Sequence, residues 1–172
     1  AGSFSGDLAC VSISGKYGYI NKTGQKVIPF QYQKAWSFKD GVARVYAENA
    51  YAYIDTSGNF INDQYYIFAH DFSENLAAVT IANKSGFINP KGDLVIDADF
   101  SKCSYFSSGL AAVQIDENWG FINRSGNLVI PANFTYALPF KNDLALVWDG
   151  PRAYYIDKAG NEIASLFGPD IK

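Results

Sequence analysis

One histidine, two cysteines and a pair of aspartates are the residues whose types could do covalent or acid–base chemistry in this chain. His70 is the only imidazole, and Cys10 and Cys103 are the only thiols. A Cys103–His70 dyad would form an activated nucleophile if the imidazole took the thiol proton, and the two residues fall in neighbouring repeat units. Asp97 and Asp99 stand two residues apart, as paired carboxylates do. Ser107 and Ser108 have no base near them in sequence and read as turn formers. A single histidine in a connecting segment is more often structural than catalytic. Asp97 occupies the place that Pro29, Asp63 and Pro131 occupy elsewhere, which fits a solvated strand end better than a catalytic acid. One histidine and two distant cysteines supply no spaced ligand pairs for a metal. The reading is therefore a chain without catalytic residues, metal or cofactor, with a hydrolase as the most distant alternative. The two cysteines sit at unrelated places, so two buried thiols are expected rather than a disulfide.

Bulk properties exclude further classes. Of the 172 residues, 48% are apolar and 18% charged, which is the composition of a packed chain rather than a disordered one. The net charge of −3 argues against non-specific nucleic-acid binding, which needs a basic surface to release counterions. No apolar run approaches the ~18 residues of a membrane-spanning helix, so no membrane insertion is expected. The chain contains no Met, so Ala1 is read as following a removed leader or as the start of an excised segment.

What the chain does instead is repeat. The pattern F-x-x-x-L/V-A places Phe4, Phe38, Phe72, Phe106 and Phe140 at intervals of thirty-four residues. Each is followed by "GYIN", "AYID", "GFIN", "GFIN" or "YYID", and then by Gly24, Gly58, Gly92, Gly126 or Gly160. The units 4–37, 38–71, 72–105, 106–139 and 140–172 make a single repeat domain over 1–172. A period of thirty-four also belongs to helix-pair repeats. The local chemistry excludes them, because each unit has short runs of Val, Ile, Tyr and Phe broken by Gly, Pro and Asn. Three strands per unit are expected, near 110–115, 119–123 and 127–130 in the fourth copy.

The turns "NKTG", "DTSG", "NPKG", "NRSG" and "DKAG" have Asn or Asp to bond the backbone two residues on and Gly for positive φ. Asn/Asp beside Gly could suggest calcium, but the alternating acidic ligands of a calcium loop are missing. Some of these turns also match glycosylation sequons, which the turn chemistry explains without a sugar.

Both faces of the strands are apolar. Trp119 and Phe121 alternate with Gly120 and Ile122, and Leu110 and Ala112 alternate with Ala111, Val113 and Ile115. Such sheets must be sandwiched between neighbours. An open stack needs polar end units, and "LACVSI" and "LALVW" provide none. The fold class is all-β, five 34-residue β-meander repeats in a closed five-bladed propeller-like ring, with an open β-solenoid or stacked array as the alternative. Four-stranded blades and longer repeats are usual in propellers, which counts against the ring.

The repeated residues resemble the bacterial WG-containing, or KWG, repeat family. The fourth copy carries its pattern most fully: Phe106, Gly109, Leu110, Ala111, Val113, Trp119, Gly120, Phe121, Ile122, Asn123, Gly126, Val129, Ile130 and Pro131. The other copies have Tyr17, Tyr51, Ser85 and Ala153 in place of the Trp, and Ala52 and Tyr154 in place of the Gly. Those departures predict less regular packing in copies two and five. The resemblance implies a bacterial all-β scaffold, often exported or envelope-associated and sometimes near toxin or secretion systems, with no shared catalytic residues. It places the chain in the bacterial periplasm, on the cell surface or outside the cell.

Binding residues are sought where the copies differ, because shared positions build the scaffold. The end of the first strand and its hairpin read "SISGK", "YAENA", "TIANK", "QIDEN" and "WDGPR". This zone offers Tyr46 and Trp148, with Glu48, Asp116 and Arg152 as polar company. Trp36 and His70 form a second variable place in the connector. Aromatic and Arg residues are typical interface anchors. The expected function is a non-enzymatic bacterial scaffold engaging a protein partner. The alternative is a lectin-like glycan-binding module, which would use equivalent aromatic pockets in every copy.

Overall fold

Each repeat is organised by its turn. The side-chain oxygens of Asn21, Asp55, Asn89, Asn123 and Asp157 each accept backbone N–H bonds from the residues two and four places on. Gly24, Gly58, Gly92, Gly126 and Gly160 then turn the chain at φ between 80° and 89°, in the left-handed region that a side chain disfavours. These turns join strands two and three of each unit and set their register.

The computed structural model describes residues 2–167, and they form five antiparallel sheets. Sheet 1 contains β1 (Phe4–Ser5), β2 (Leu8–Ile13), β3 (Lys16–Asn21) and β4 (Lys26–Tyr32). Sheet 2 contains β5 (Lys34–Ala35), β6 (Val42–Ala47) and β7 (Ala50–Asp55). Sheet 3 contains β8 (Phe68–Ala69), β9 (Ala77–Ile81), β10 (Lys84–Ile88) and β11 (Leu94–Phe100). Sheet 4 contains β12 (Lys102–Cys103), β13 (Leu110–Ile115), β14 (Asn118–Asn123) and β15 (Leu128–Phe134). Sheet 5 contains β16 (Tyr136–Ala137), β17 (Ala145–Asp149), β18 (Arg152–Ile156) and β19 (Glu162–Phe167). No helix among the described residues is long and apolar enough to cross a membrane.

The three strands expected per unit are present in sheets 1, 3, 4 and 5. The structure adds a fourth, β1, β8, β12 and β16 respectively, and starts the three-stranded sheet 2 with the inner strand β5. Each is two residues long, too short to leave a period in the sequence. This strand brings the blade to the four strands usual in propellers.

The name-giving glycine of the WG pair has a steric task. In sheet 4, Trp119 pairs with Phe134 and Phe121 with Ile130, so the outer strand fits four steps against two and bulges. Gly120 lies under that bulge, where a Cβ would stand 2.7 Å from the Ile130 carbonyl oxygen. Gly18 and Gly86 make the same close approach in sheets 1 and 3. Asp97 and Asp99 belong to the sheet 3 bulge and are exposed, which places them as solvated edge residues. Where the glycine is replaced, the outer strand changes. Opposite Ala52 in sheet 2, only the bridges Tyr51–Tyr66 and Ile54–Phe60 remain of it. Opposite Tyr154 in sheet 5, a narrower bulge survives, with Ala153 on Phe167 and Tyr155 on Ala164.

The sheets stack face to face in chain order. Leu110, Ala112 and Phe121 on one face of sheet 4 pack with Phe140, Ala145, Val147 and Ile156 of sheet 5. Ala111, Val113 and Ile122 on its other face pack with Leu76, Ala78, Phe87 and Ile96 of sheet 3. Equivalent clusters join sheets 1 and 2 and sheets 2 and 3. These contacts form a propeller-like series from sheet 1 to sheet 5, and no buried cluster among the described residues joins sheet 5 to sheet 1. Cys10 and Cys103 are buried, free thiols in sheets 1 and 4.

Candidate binding surface at the inner strands

The seven residues singled out in the sequence divide into three settings. Glu48 and Asp116 occupy tight hairpin turns with φ of 51° and 53°, where exposure follows from the turn. Trp148 and Arg152 belong to sheet 5. The Arg152 guanidinium stacks 4.7 Å from the Tyr154 ring centroid and pairs with Glu162 at 2.6 Å, so its charge is already matched. Trp148 packs on Tyr136 of the inner strand at 5.5 Å, and Tyr136 packs on Trp119 at 5.6 Å. Trp36, Tyr46 and His70 are brought together at sheets 2 and 3.

That third setting is built around a cation the repeat does not call for. Arg44 stands where the other copies have Cys10, Ala78, Ala112 and Leu146. Its side chain is 13% exposed, and its guanidinium lies 3.9 Å from the Trp36 ring centroid. One nitrogen donates to the Ala69 carbonyl. Nε approaches Asp71 Oδ1 at 2.9 Å as an ion pair, off the direction of an aligned hydrogen bond. A shielded guanidinium needs such partners, because stripping its water costs several kcal/mol, of order. Trp36 contacts Tyr51 at 5.9 Å, and Tyr51 contacts both Tyr46 at 4.9 Å and Phe68 at 6.3 Å. Phe68 meets His70 at 5.0 Å, and His70 meets Tyr105 of the next repeat at 6.1 Å. The Tyr53 hydroxyl donates to the His70 carbonyl at 2.5 Å and anchors the connector.

The surroundings of His70 decide its chemistry. It lines a pocket of about 300 Å³ with Arg44, Asp71, Phe72, Ser73 and Tyr105. Burial first, and the Arg44 charge second, hold its imidazole below the ordinary value, so the neutral ring is favoured. Cys103 shares a second cavity with His70, which makes the two near neighbours. Burial, however, pushes the Cys103 thiol well above its ordinary range and keeps it protonated. A protonated thiol is a poor nucleophile. No group of three or more His, Cys, Asp or Glu among the described residues is placed to hold a metal ion.

Sequence reasoning missed Arg44, Tyr51, Phe68, Asp71, Tyr105 and Tyr136. Each lies where the copies disagree. The inner-strand position, for example, reads Lys34, Phe68, Lys102 and Tyr136. Phe68, Tyr105 and Tyr136 are also exposed, so the aromatic surface runs along the inner strands. Trp36 and His70 are the part of it that the connector comparison found.

Five antiparallel sheets stacked in sequence, with unmatched aromatic residues on their inner strands, define a propeller-like repeat protein. Its repeats match the model of the WG containing repeat at residues 17–49, 51–84, 86–119 and 119–147. The chain belongs to that family. No curated protein matches it. Among solved structures it is similar to Hsv2 of Kluyvelomyces marxianus, with a TM-score of 0.59 and 11% identity. That alignment covers 96% of this chain, which spans only 60% of the length of Hsv2. PorZ, a bacterial surface component of the type-IX secretion system of Porphyromonas gingivalis, aligns over 100% of this chain and 26% of its own at 8% identity and a TM-score of 0.48.

Proposed function

We propose that the chain is a non-enzymatic bacterial scaffold, working in the envelope or outside the cell, that engages a protein partner through the inner strands of sheets 2 to 4. One observation supports this reading above the others. The aromatics form a composite surface rather than one pocket per repeat: Phe68 and His70 come from one unit and Tyr105 from the next. Phe68 has a ring, Tyr136, and His70 has a ring, Trp36, at its place in one other copy, and Tyr105 has none. Around them, Trp36 and the Arg44–Asp71 pair add an aromatic and a charged element that no other copy has. Unique residues gathered from several repeats suit a single irregular partner, with aromatic anchors of the kind that dominate protein interfaces.

A lectin-like reading would want the same exposed ring in every repeat. The alternation of Lys34 and Lys102 with Phe68 and Tyr136 weighs against that arrangement. Affinity capture from bacterial envelope extract with the intact chain, followed by mass spectrometry, tests the proposal. A defined protein recovered by the parent chain and lost with Phe68→Ala is the expected result. Multivalent binding on a glycan array, abolished by Trp148→Ala, would favour the glycan module instead. Hydrolytic turnover sensitive to His70→Ala would replace both readings with an enzyme.

A further inference from the structure

The four interior joints between sheets follow one rule, and the two ends of the series carry its unmatched halves. At each joint the Phe that opens a repeat lies on the ring of the preceding repeat. Phe38 meets Tyr19 at 4.8 Å, Phe72 meets Tyr53 at 5.1 Å, Phe106 meets Phe87 at 4.8 Å, and Phe140 meets Phe121 at 4.9 Å. All four opening Phe residues are buried, at 4%, 3%, 0% and 2% exposure. The remaining one, Phe4, is 48% exposed. The remaining ring, Tyr155, is half-buried and lines an open pocket of about 590 Å³ with Leu144, Leu146, Phe140 and Leu138.

The faces around these two residues match as the interior faces do. Leu144 and Leu146 are half-buried on sheet 5, whereas their equivalents Leu110 and Ala112 are buried against the next sheet. Val11 and Ile20 are half-buried on sheet 1, whereas their equivalents Val113 and Ile122 are fully buried against the preceding one. A polar feature repeats too. The Tyr19 hydroxyl donates to the Trp36 carbonyl at 2.7 Å, and Tyr53 does the same to His70 at 2.5 Å. Stepping back one repeat from Trp36 gives Gly2 as the residue whose carbonyl would face the Tyr155 hydroxyl.

We infer that the open face of sheet 5 in one copy receives the sheet 1 face of a second copy, head to tail, with Phe4 seated against Tyr155. The two faces are different surfaces, so the contact is heterologous rather than a two-fold one. A second copy is the occupant because its sheet 1 presents, in Phe4, Val11 and Ile20, the counterparts of the Phe106, Val113 and Ile122 that sheet 4 presents to sheet 3. Among the described residues, no hydrogen bond, ion pair, ring contact or buried cluster links sheets 1 and 5.

Sedimentation velocity on the 172-residue chain across the micromolar range tests the inference. Self-association is expected, and Phe4→Glu and Leu146→Glu should each weaken it about thirtyfold or more, as loss of an interface anchor does. An equimolar mixture of the two variants retains one intact joint per pair. It should form a one-to-one dimer and nothing larger. Thermal unfolding of each variant separates a blocked joint from a misfolded chain, and Val11→Lys replaces Phe4→Glu if the latter melts early. A parent chain that stays monomeric throughout the range overturns the inference. So does a mixture that forms no dimer, or an assembly that the variants leave unchanged.

Discussion

Sheets 4 and 2 are copies of one unit, and they have been put to different uses. Sheet 4 holds the Trp119–Gly120 pair, a complete outer strand and an uninterrupted apolar face on both sides. Sheet 2 has Tyr51–Ala52 at the same place, keeps only two bridges to its outer segment, and exposes Phe60, Tyr65 and Ile67 there. It also introduces Arg44 at a position that elsewhere packs as Cys, Ala or Leu. The comparison teaches that the repeated residues are occupied with holding sheets together. Unusual chemistry enters where a copy gives up part of that pattern, and in this chain it enters at sheet 2.

The largest test of this contrast is packing in sheet 4. Phe121 is fully buried and touches Phe134 at 6.4 Å and Phe140 at 4.9 Å. Phe121→Ala should lower the free energy of unfolding by about 3–5 kcal/mol, through lost burial and the cavity left behind. Urea unfolding measures it, and a loss under about 1 kcal/mol would mean that the joint is not the source of stability.

A smaller effect is expected at the glycine. Gly120→Ala should cost about 2–3 kcal/mol, because the new Cβ meets backbone that must move. The reverse change in sheet 2, Ala52→Gly, should cost about 1 kcal/mol or less, since no bulged strand lies over it. Equal costs at the two places would break the explanation of the WG pair.

The mildest test is acidity at the sheet 2 surface. His70 in the folded chain titrates below its ordinary value of 6.5, so between the two values the unfolded chain holds the extra proton. Stability is then constant above that ordinary value and falls as pH drops through it, levelling below the folded value. The slope is bounded at about 1.4 kcal/mol per pH unit. His70→Phe should remove this component from the pH profile of the melting temperature. A profile unchanged by the substitution would place His70 in open solvent.

Much of the scaffold was legible in the sequence because repetition multiplies weak signals. A single "NRSG" is an ordinary turn, but five aligned turns with Gly in one register define hairpins whose boundaries the structure keeps. The alternation around Phe121 and Ile122 likewise announced sheets buried on both faces. The inner strands were not legible, because Lys102–Cys103 or Tyr136–Ala137 is too short to show a period. Ring closure was inferred from the lack of polar ends, yet that lack has a second meaning: an apolar end face is also what a joint to another copy requires.

The surface was legible in part. Trp36 and His70 stood out in the connector, and Tyr46 in the hairpin zone, and the structure links them through Tyr51 and Phe68. Arg44 was hidden inside a strand between apolar neighbours, where it reads as an outward-facing residue. Nothing in its local sequence reveals that Asp71 and Trp36 come to meet it. Glu48 and Asp116 were drawn in by their variability, which the hairpin turns account for.

The central claim is that binding depends on residues the copies do not share, and one measurement addresses it directly. The protein captured by the intact chain is titrated, by biolayer interferometry, against the parent chain and the double variant Phe68→Ala/Tyr105→Ala, whose exposed rings contribute little to the core. The account expects affinity to fall by about thirtyfold or more while the melting temperature stays unchanged. Undiminished binding by the double variant would contradict it.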